Sequence, residues 1–169
     1  TGLNELRMSN YRRILSLDSA MVVVQFDKDG VQYQRKYFIS YPDSVMVMKF
    51  TANQSGKQNL ILSYCPNSEA KSNLRADGKD GLVYTGVLDN NGMKFAFRIK
   101  AIHKGGTLEA ENDRLIVKGA DEVVFLLTAD TDYKMNFNPD FKDPKTYVGN
   151  DPEQTTRIMM DQAVQKGYD

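Results

Sequence analysis

Residues 18–50 read DSAMVVVQFDKDGVQYQRKYFISYPDSVMVMKF, and the order of residue types in this stretch decides the fold class. An apolar run (19–26) leads into Asp27-Lys28-Asp29-Gly30, a second run (31–38) follows, and Tyr41-Pro42-Asp43 turns the chain into a third (44–50). Asp29-Gly30 between two β-rich runs marks a hairpin, because glycine supplies the positive φ that a tight turn requires. The second run alternates. Val31, Tyr33, Arg35 and Tyr37 fall on one face, and Gln32, Gln34 and Lys36 on the other. That two-residue period belongs to a strand with one half-buried face and one face toward water.

The same grammar extends outward in both directions. Residues 1–10 are polar and predict a frayed lead-in, followed by a short strand over 11–17. Gln54-Ser55-Gly56 marks a turn before a strand over 59–64, and residues 66–80, rich in Pro, Asn, Ser, Asp and Gly, predict a long exposed loop. Asp89-Asn90-Asn91-Gly92 joins strands over 82–88 and 93–103, the latter with Met93, Phe95, Phe97, Ile99 and Ala101 on one face and Lys94, Arg98 and Lys100 on the other. After Gly105-Gly106 come short strands over 107–110 and 114–118. Residues 122–128 form a strand whose run over 123–127 is apolar on both faces, as in a central, fully covered strand.

Residues 129–150 show no period and predict a long loop, of the kind that often carries a contact. A helix follows. Asp151 is placed to cap it, Pro152 fits its first position, Gln154 the third, and Gly167 the stop, with Met159, Met160, Ala163 and Val164 as its apolar positions. Nine or ten short strands and one C-terminal helix predict a mainly β fold, an antiparallel two-sheet sandwich.

Bulk composition excludes several functions. Among 169 residues, 22 Lys and Arg balance 22 Asp and Glu, so no net field attracts nucleic acid or an anionic membrane. The longest apolar runs are far short of the roughly 20 residues of a membrane-spanning helix. A lone Cys65 forms no internal disulfide and leaves the redox compartment undetermined.

Candidate chemistry is sparse. Asp130 and Asp132 are spaced for a metal or a carboxylate pair, but Tyr133-Lys134-Met135 does not continue a calcium loop, and strand-end solvation is the better reading. His103 and Cys65 are a conceivable base and nucleophile, yet Ser63-Tyr64-Cys65-Pro66 matches no nucleophile motif. The same pair is too few ligands for zinc. Tyr33, Tyr37, Phe95 and Phe97 lie in alternating strands, where aromatic rings fill the core rather than a sugar platform. Asn53-Gln54-Ser55 fits a glycosylation sequon, a short pattern common by chance. Phosphate-binding glycine loops are absent.

Four regions together carry a resemblance. Tyr11-Arg12-Arg13 leads into Leu15-Ser16-Leu17-Asp18-Ser19-Ala20. The run from Gly30 to Ser40 precedes Pro42-Asp43-Ser44-Val45. Gly105-Gly106-Thr107 is followed by Val117-Lys118-Gly119-Ala120-Asp121, and Asp151-Pro152 leads to Lys166-Gly167-Tyr168-Asp169. In this order and spacing, residues 11–169 resemble the N-terminal β domain of glycoside hydrolase family 95, the α-L-fucosidases, some of which act on α-L-galactosides.

The resemblance implies a supersandwich-like β domain over 1–150 and a linker helix over 151–169 leading toward an α/α-barrel catalytic domain of the same polypeptide. Members of that family carry more β-domain sequence upstream and continue into the barrel, so it implies a fragment. It also implies a bacterial enzyme, periplasmic or extracellular, whose inverting hydrolysis of terminal α-L-fucosides uses residues of the barrel. No catalytic, cofactor-binding or metal residue is then expected here, and no cofactor. Inverting hydrolysis needs two carboxyl groups about 6.5–9.5 Å apart across a sugar pocket, which a small sandwich without a carboxylate cluster gives no reason to expect. The expected role is to buttress the barrel, residues 129–150 and the helix making the contact, with a fucosylated glycan near that loop. An independent carbohydrate-binding module and a structural or oligomerising β domain are the alternatives.

Overall fold

Asp29 and Gly30 have φ of 52° and 76°, the two positive angles of a type I′ hairpin turn. Lys28 pairs directly with Val31, so the loop is two residues long, tighter than the four expected. A computed structural model describes residues 8–64, 70–143 and 145–167. It contains eleven strands among those residues: β1 (Met8–Ser16), β2 (Met21–Lys28), β3 (Val31–Ser40), β4 (Val45–Ala52), β5 (Gln58–Ser63), β6 (Ala70–Ala76), β7 (Gly81–Leu88), β8 (Lys94–Lys104), β9 (Thr107–Ala110), β10 (Arg114–Ala120) and β11 (Glu122–Thr131). One helix, α1 (Pro152–Lys166), follows.

The strands form two antiparallel sheets, one of eight in the order β1-β2-β3-β4-β11-β8-β7-β6 and one of three in the order β5-β10-β9. The mainly β, two-sheet fold is therefore as expected. Two local expectations are not. Ala70–Ala76 is a strand rather than part of an exposed loop, pairing with β7 from Ala70↔Leu88 to Ala76↔Leu82. As the sheet's outer strand it needs one neighbour only, so polar Lys71, Ser72 and Asn73 are tolerated there. And β1 begins at Met8, inside the stretch expected to fray; the lead-in over residues 1–7 lies outside the described residues.

β11 lies at the centre of the large sheet and is covered on both faces, as its apolar run predicts. Val123 and Phe125, both at most 1% exposed, face the small sheet and pack with Leu82, Ala101, Leu115, Val117 and Ala120. Val124 and Leu126 face the other way and pack with Val45, Val47 and the helix residues Met160 and Ala163. Three layers result: small sheet, large sheet, helix. The helical cover has a consequence for β8. The face expected to meet water is sealed at its middle, where Arg98 is 2% exposed with its guanidinium paired to Asp77, while Lys94 stays exposed and Lys100 partly so.

Candidate interaction surface

The segment after β11 is rich in Asn, Asp and Pro, residues whose short side chains bond their own backbone and hold the chain out of regular structure. Asn136 Oδ1 accepts from Asn138 N (3.0 Å), Asp140 Oδ1 from Lys142 N (3.0 Å) and Asp143 Oδ1 from Lys145 N (2.8 Å). Thr146 gathers the two sides: its Oγ1 accepts from Asp140 N at 3.1 Å, and its carbonyl accepts from Asn136 Nδ2 at 3.1 Å. At the neck Gly149 N donates to Asp132 O (2.6 Å), Lys134 N to Tyr147 O (2.8 Å), and Tyr133 stacks on Tyr147 with centroids 5.9 Å apart. A Cβ at Gly149 would stand 3.1 Å from Lys134 Cβ and 3.2 Å from Asp132 O, so a larger residue there requires the neck to give by a few tenths of an ångström.

Such a closed, hydrogen-bonded loop is expected to bury its apolar side chains, and this one does the reverse. Phe137 is 93% exposed and Phe141 85%, with Met135, Tyr133 and Val148 half exposed beside them. Isolated exposed apolar side chains are ordinary, so it is two phenylalanines on one ordered loop that make this loop the candidate interaction surface. The loop falls within the stretch expected to make a contact. The sequence reading does not single out Phe137 and Phe141, although an aromatic enclosed by each Asx turn, Asn136-Phe137-Asn138 and Asp140-Phe141-Lys142, is the available signal.

The loop leads directly into α1, which is fixed to the large sheet at both ends. Asp151 Oδ1 caps it by accepting from Glu153 N (3.1 Å), and Arg75 of β6 pairs with Glu153 at 2.5 Å. At the other end Lys166 Nζ reaches Asp43 Oδ1 at 2.8 Å. Hydrogen bonds from Lys166 and Ser40 hold the Asp43 carboxyl below the usual carboxylate range. Midway, the carbonyl of Thr156 accepts from Thr128 Oγ1 at 3.0 Å, both residues fully buried.

The other candidate residues have local duties and do not converge. Asp130 Oδ1 accepts from Thr131 N, while Asp132 Oδ1 accepts from Lys94 N and anchors the loop neck to β8. His103 is exposed, its Nδ1 2.8 Å from Gly105 O; Cys65 lies outside the described residues. Tyr33 stacks on Phe26 and Tyr37 meets Phe50 edge-on, and Phe95 and Phe97 pack with Tyr84. These rings join core and sheet face rather than an exposed platform. Asn53 is exposed, and its Oδ1 accepts from Gln32 N. Among the described residues no helix is long and apolar enough to cross a membrane.

A family model described as "Glycosyl hydrolase family 65, N-terminal domain" matches residues 2–136, which take in all eleven strands. The chain belongs to this family. Its relatives include an Aspergillus niger protein named as an alpha-fucosidase A, 27% identical over 171 residues that cover 95% of this chain and 21% of that protein. An Arabidopsis thaliana protein named alpha-L-fucosidase 2 is 24% identical over 74% of this chain and 17% of its own length. The chain thus spans about a fifth of the length of the curated relatives it matches. Among solved structures, a human-microbiome protein named as a kojibiose phosphorylase superposes with a TM-score of 0.60 at 10% identity, covering 97% of this chain and 23% of that one. That likeness is one of fold. Family model and relatives agree that this is an N-terminal domain of the glycoside hydrolase type with fucosidase-like relatives; the model carries family number 65, where the sequence resembled family 95, and both relatives are eukaryotic.

Proposed function

We propose that this chain is the non-catalytic N-terminal β domain of an exported α-L-fucosidase of the family 95 type, and that it buttresses the catalytic domain of the same polypeptide through the loop over residues 132–149. The observation that carries the reading is the outward display of Phe137 and Phe141 by a loop whose backbone is tied down at neck and waist. Burying one phenylalanine side chain is worth about 1.5–3 kcal/mol, so two rings left in water are a substantial reserve for docking. The helix supports the same reading. It closes one face of the large sheet and starts where the loop ends, so loop and helix form one rigid path out of the sandwich.

The parent reaction is then inverting hydrolysis of terminal α-L-fucosides, supported by the names of the two relatives. Its catalytic carboxylates are assigned to the catalytic domain, since Asp130 accepts only from its neighbour Thr131 N and Asp132 anchors the loop neck. The loop carries the contact near the mouth of the glycan site.

The test is the double substitution Phe137→Ser and Phe141→Ser in the complete enzyme. The expected result is a lower melting temperature of the catalytic domain and a roughly ten- to hundredfold loss in kcat/KM on a fucosylated oligosaccharide, the cost of a misplaced site. Melting and kinetics both equal to those of the unmodified enzyme overturn the proposal.

A further inference from the structure

Helix α1 does not cover the whole of the sheet face on which it lies. On β6, β7 and β8 the register sets side chains of that face in rows, since directly paired residues point the same way. Arg75, Val83 and Arg98 form the row that the helix meets, with Arg75 paired to Glu153. Asn73, Thr85 and Ala96 form the next, and Lys71, Val87 and Lys94 the last. Along β7 the cover thins: Val83 is buried, Thr85 half-buried and Val87 37% exposed. There the sheet face and the start of α1 enclose a cleft of about 400 Å³. Small-molecule sites begin at about that size, roughly 300 Å³.

The polar groups of this cleft are not used up within the protein. Among the described residues, the side chains of Lys71, Asn73, Thr85 and Lys94 make no hydrogen bond or ion pair. On the helix side, Asp151 spends one carboxylate oxygen on Glu153 N, and Glu153 spends one on Arg75. The second oxygen of each has no partner among the described residues. The mixture of groups selects the ligand. An anion would meet the two carboxylates, and a cation would meet the two lysines. A neutral polyol meets neither penalty, because each hydroxyl both donates and accepts. Lysine and amide N–H groups donate to it, and carboxylate and amide oxygens accept from it. A pyranose ring also brings an apolar C–H face, for which Val87 and Pro152 supply apolar lining.

We propose that this cleft binds one neutral hexose unit of a glycan, held by Lys71, Asn73, Thr85 and Lys94 from the sheet and by Asp151 and Glu153 from the helix. The sheet side chains carry the site, and the first turn of α1 closes it. None of them lies in the loop over residues 132–149, so the inference stands or falls independently of that loop's role. The two surfaces are nevertheless neighbours, because Asp132 Oδ1 at the loop neck accepts from Lys94 N at 2.9 Å.

Methyl NMR of Thr85 and Val87 in the complete polypeptide, titrated with L-fucose and with D-galactose, tests it. At least one sugar is expected to shift both residues' methyl signals along a saturating curve, while those of the core residue Val123 stay in place. The double variant Asn73→Leu and Lys94→Met should weaken that binding about tenfold or more, through the hydrogen bonds lost. Both positions are exposed, and unchanged Val123 signals show that the variant is folded. Absent or unsaturating shifts with both sugars overturn the proposal, and so do shifts that the folded double variant leaves intact. Saturation by inorganic phosphate and by neither sugar overturns it as well, making the cleft an anion site.

Discussion

Arg98 is buried to 2% exposure beneath α1, and its Nε and Nη2 have no hydrogen-bond partner among the described residues. Its charge is met by Asp77, which is one-third exposed. The two partners are therefore unequal. Removing Asp77 strands a cation in the core, whereas removing Arg98 returns a carboxylate to water. Asp77→Ala is expected to destabilise by about 3–5 kcal/mol and Arg98→Met by clearly less, because an unpaired buried charge costs more than a lost pair. Urea denaturation of both variants checks this, and equal losses would contradict it. At this scale alternation placed Arg98 opposite Phe97 correctly. It could not show that a helix from more than 50 positions downstream would seal that face.

The helix shows how local and remote information divide within one element. Its ends were legible because capping involves neighbours in sequence: Asp151 accepts from Glu153 N, Pro152 needs no donor there, and Gly167 adopts φ 80°. Its buried stripe was legible only in part. Met160 and Ala163 are buried as expected, but Pro152 and Thr156 complete the stripe, and Met159 is half buried. Two threonines, Thr128 and Thr156, bond across the sheet–helix contact, and apolar periodicity does not register them. Met160 belongs to one buried cluster with Val45, Val47, Val124, Leu126 and Ala163. Met160→Ala should cost about 2–5 kcal/mol in thermal or chemical unfolding, and a loss under 1 kcal/mol would mean the helix is not part of the sandwich core. β6 marks the other limit. Its composition is that of a loop, and pairing with β7 overrides it.

For the molecule as a whole, positive and negative side chains balance at 22 each, so acid shifts it steadily toward net positive charge. Glu122 makes that shift structural. It bridges Lys49 of β4 at 2.7 Å and Lys104 of β8 at 3.2 Å, across the three central strands. Burial raises its pKa, but the hydrogen bonds from both lysines outweigh burial and hold it below 4.5. The unfolded chain therefore binds this proton at higher pH than the folded one. Its contribution is fully present above about 4.5 and is lost as pH falls through the lower folded value. Glu122→Gln should lower stability at neutral pH and flatten the loss on acidification below 4.5, as read from melting temperature against pH. An unchanged acid slope would remove Glu122 from the account.

The sequence by itself determined the β class, the Asp29-Gly30 hairpin, the double-faced burial of β11 and the ends of α1, because each is set by a few adjacent residues and a fixed side-chain period. The N-terminal domain of a glycoside hydrolase was legible as well, from the four motif regions, although the family model that matches carries number 65 rather than 95. Only the tertiary structure decided that, among the described residues, the strands divide into sheets of eight and three, that α1 closes one face over Arg98, and that Phe137 and Phe141 stand in water. Those properties depend on which surfaces meet across fifty residues or more, and exposure is a property of the neighbour rather than of the residue.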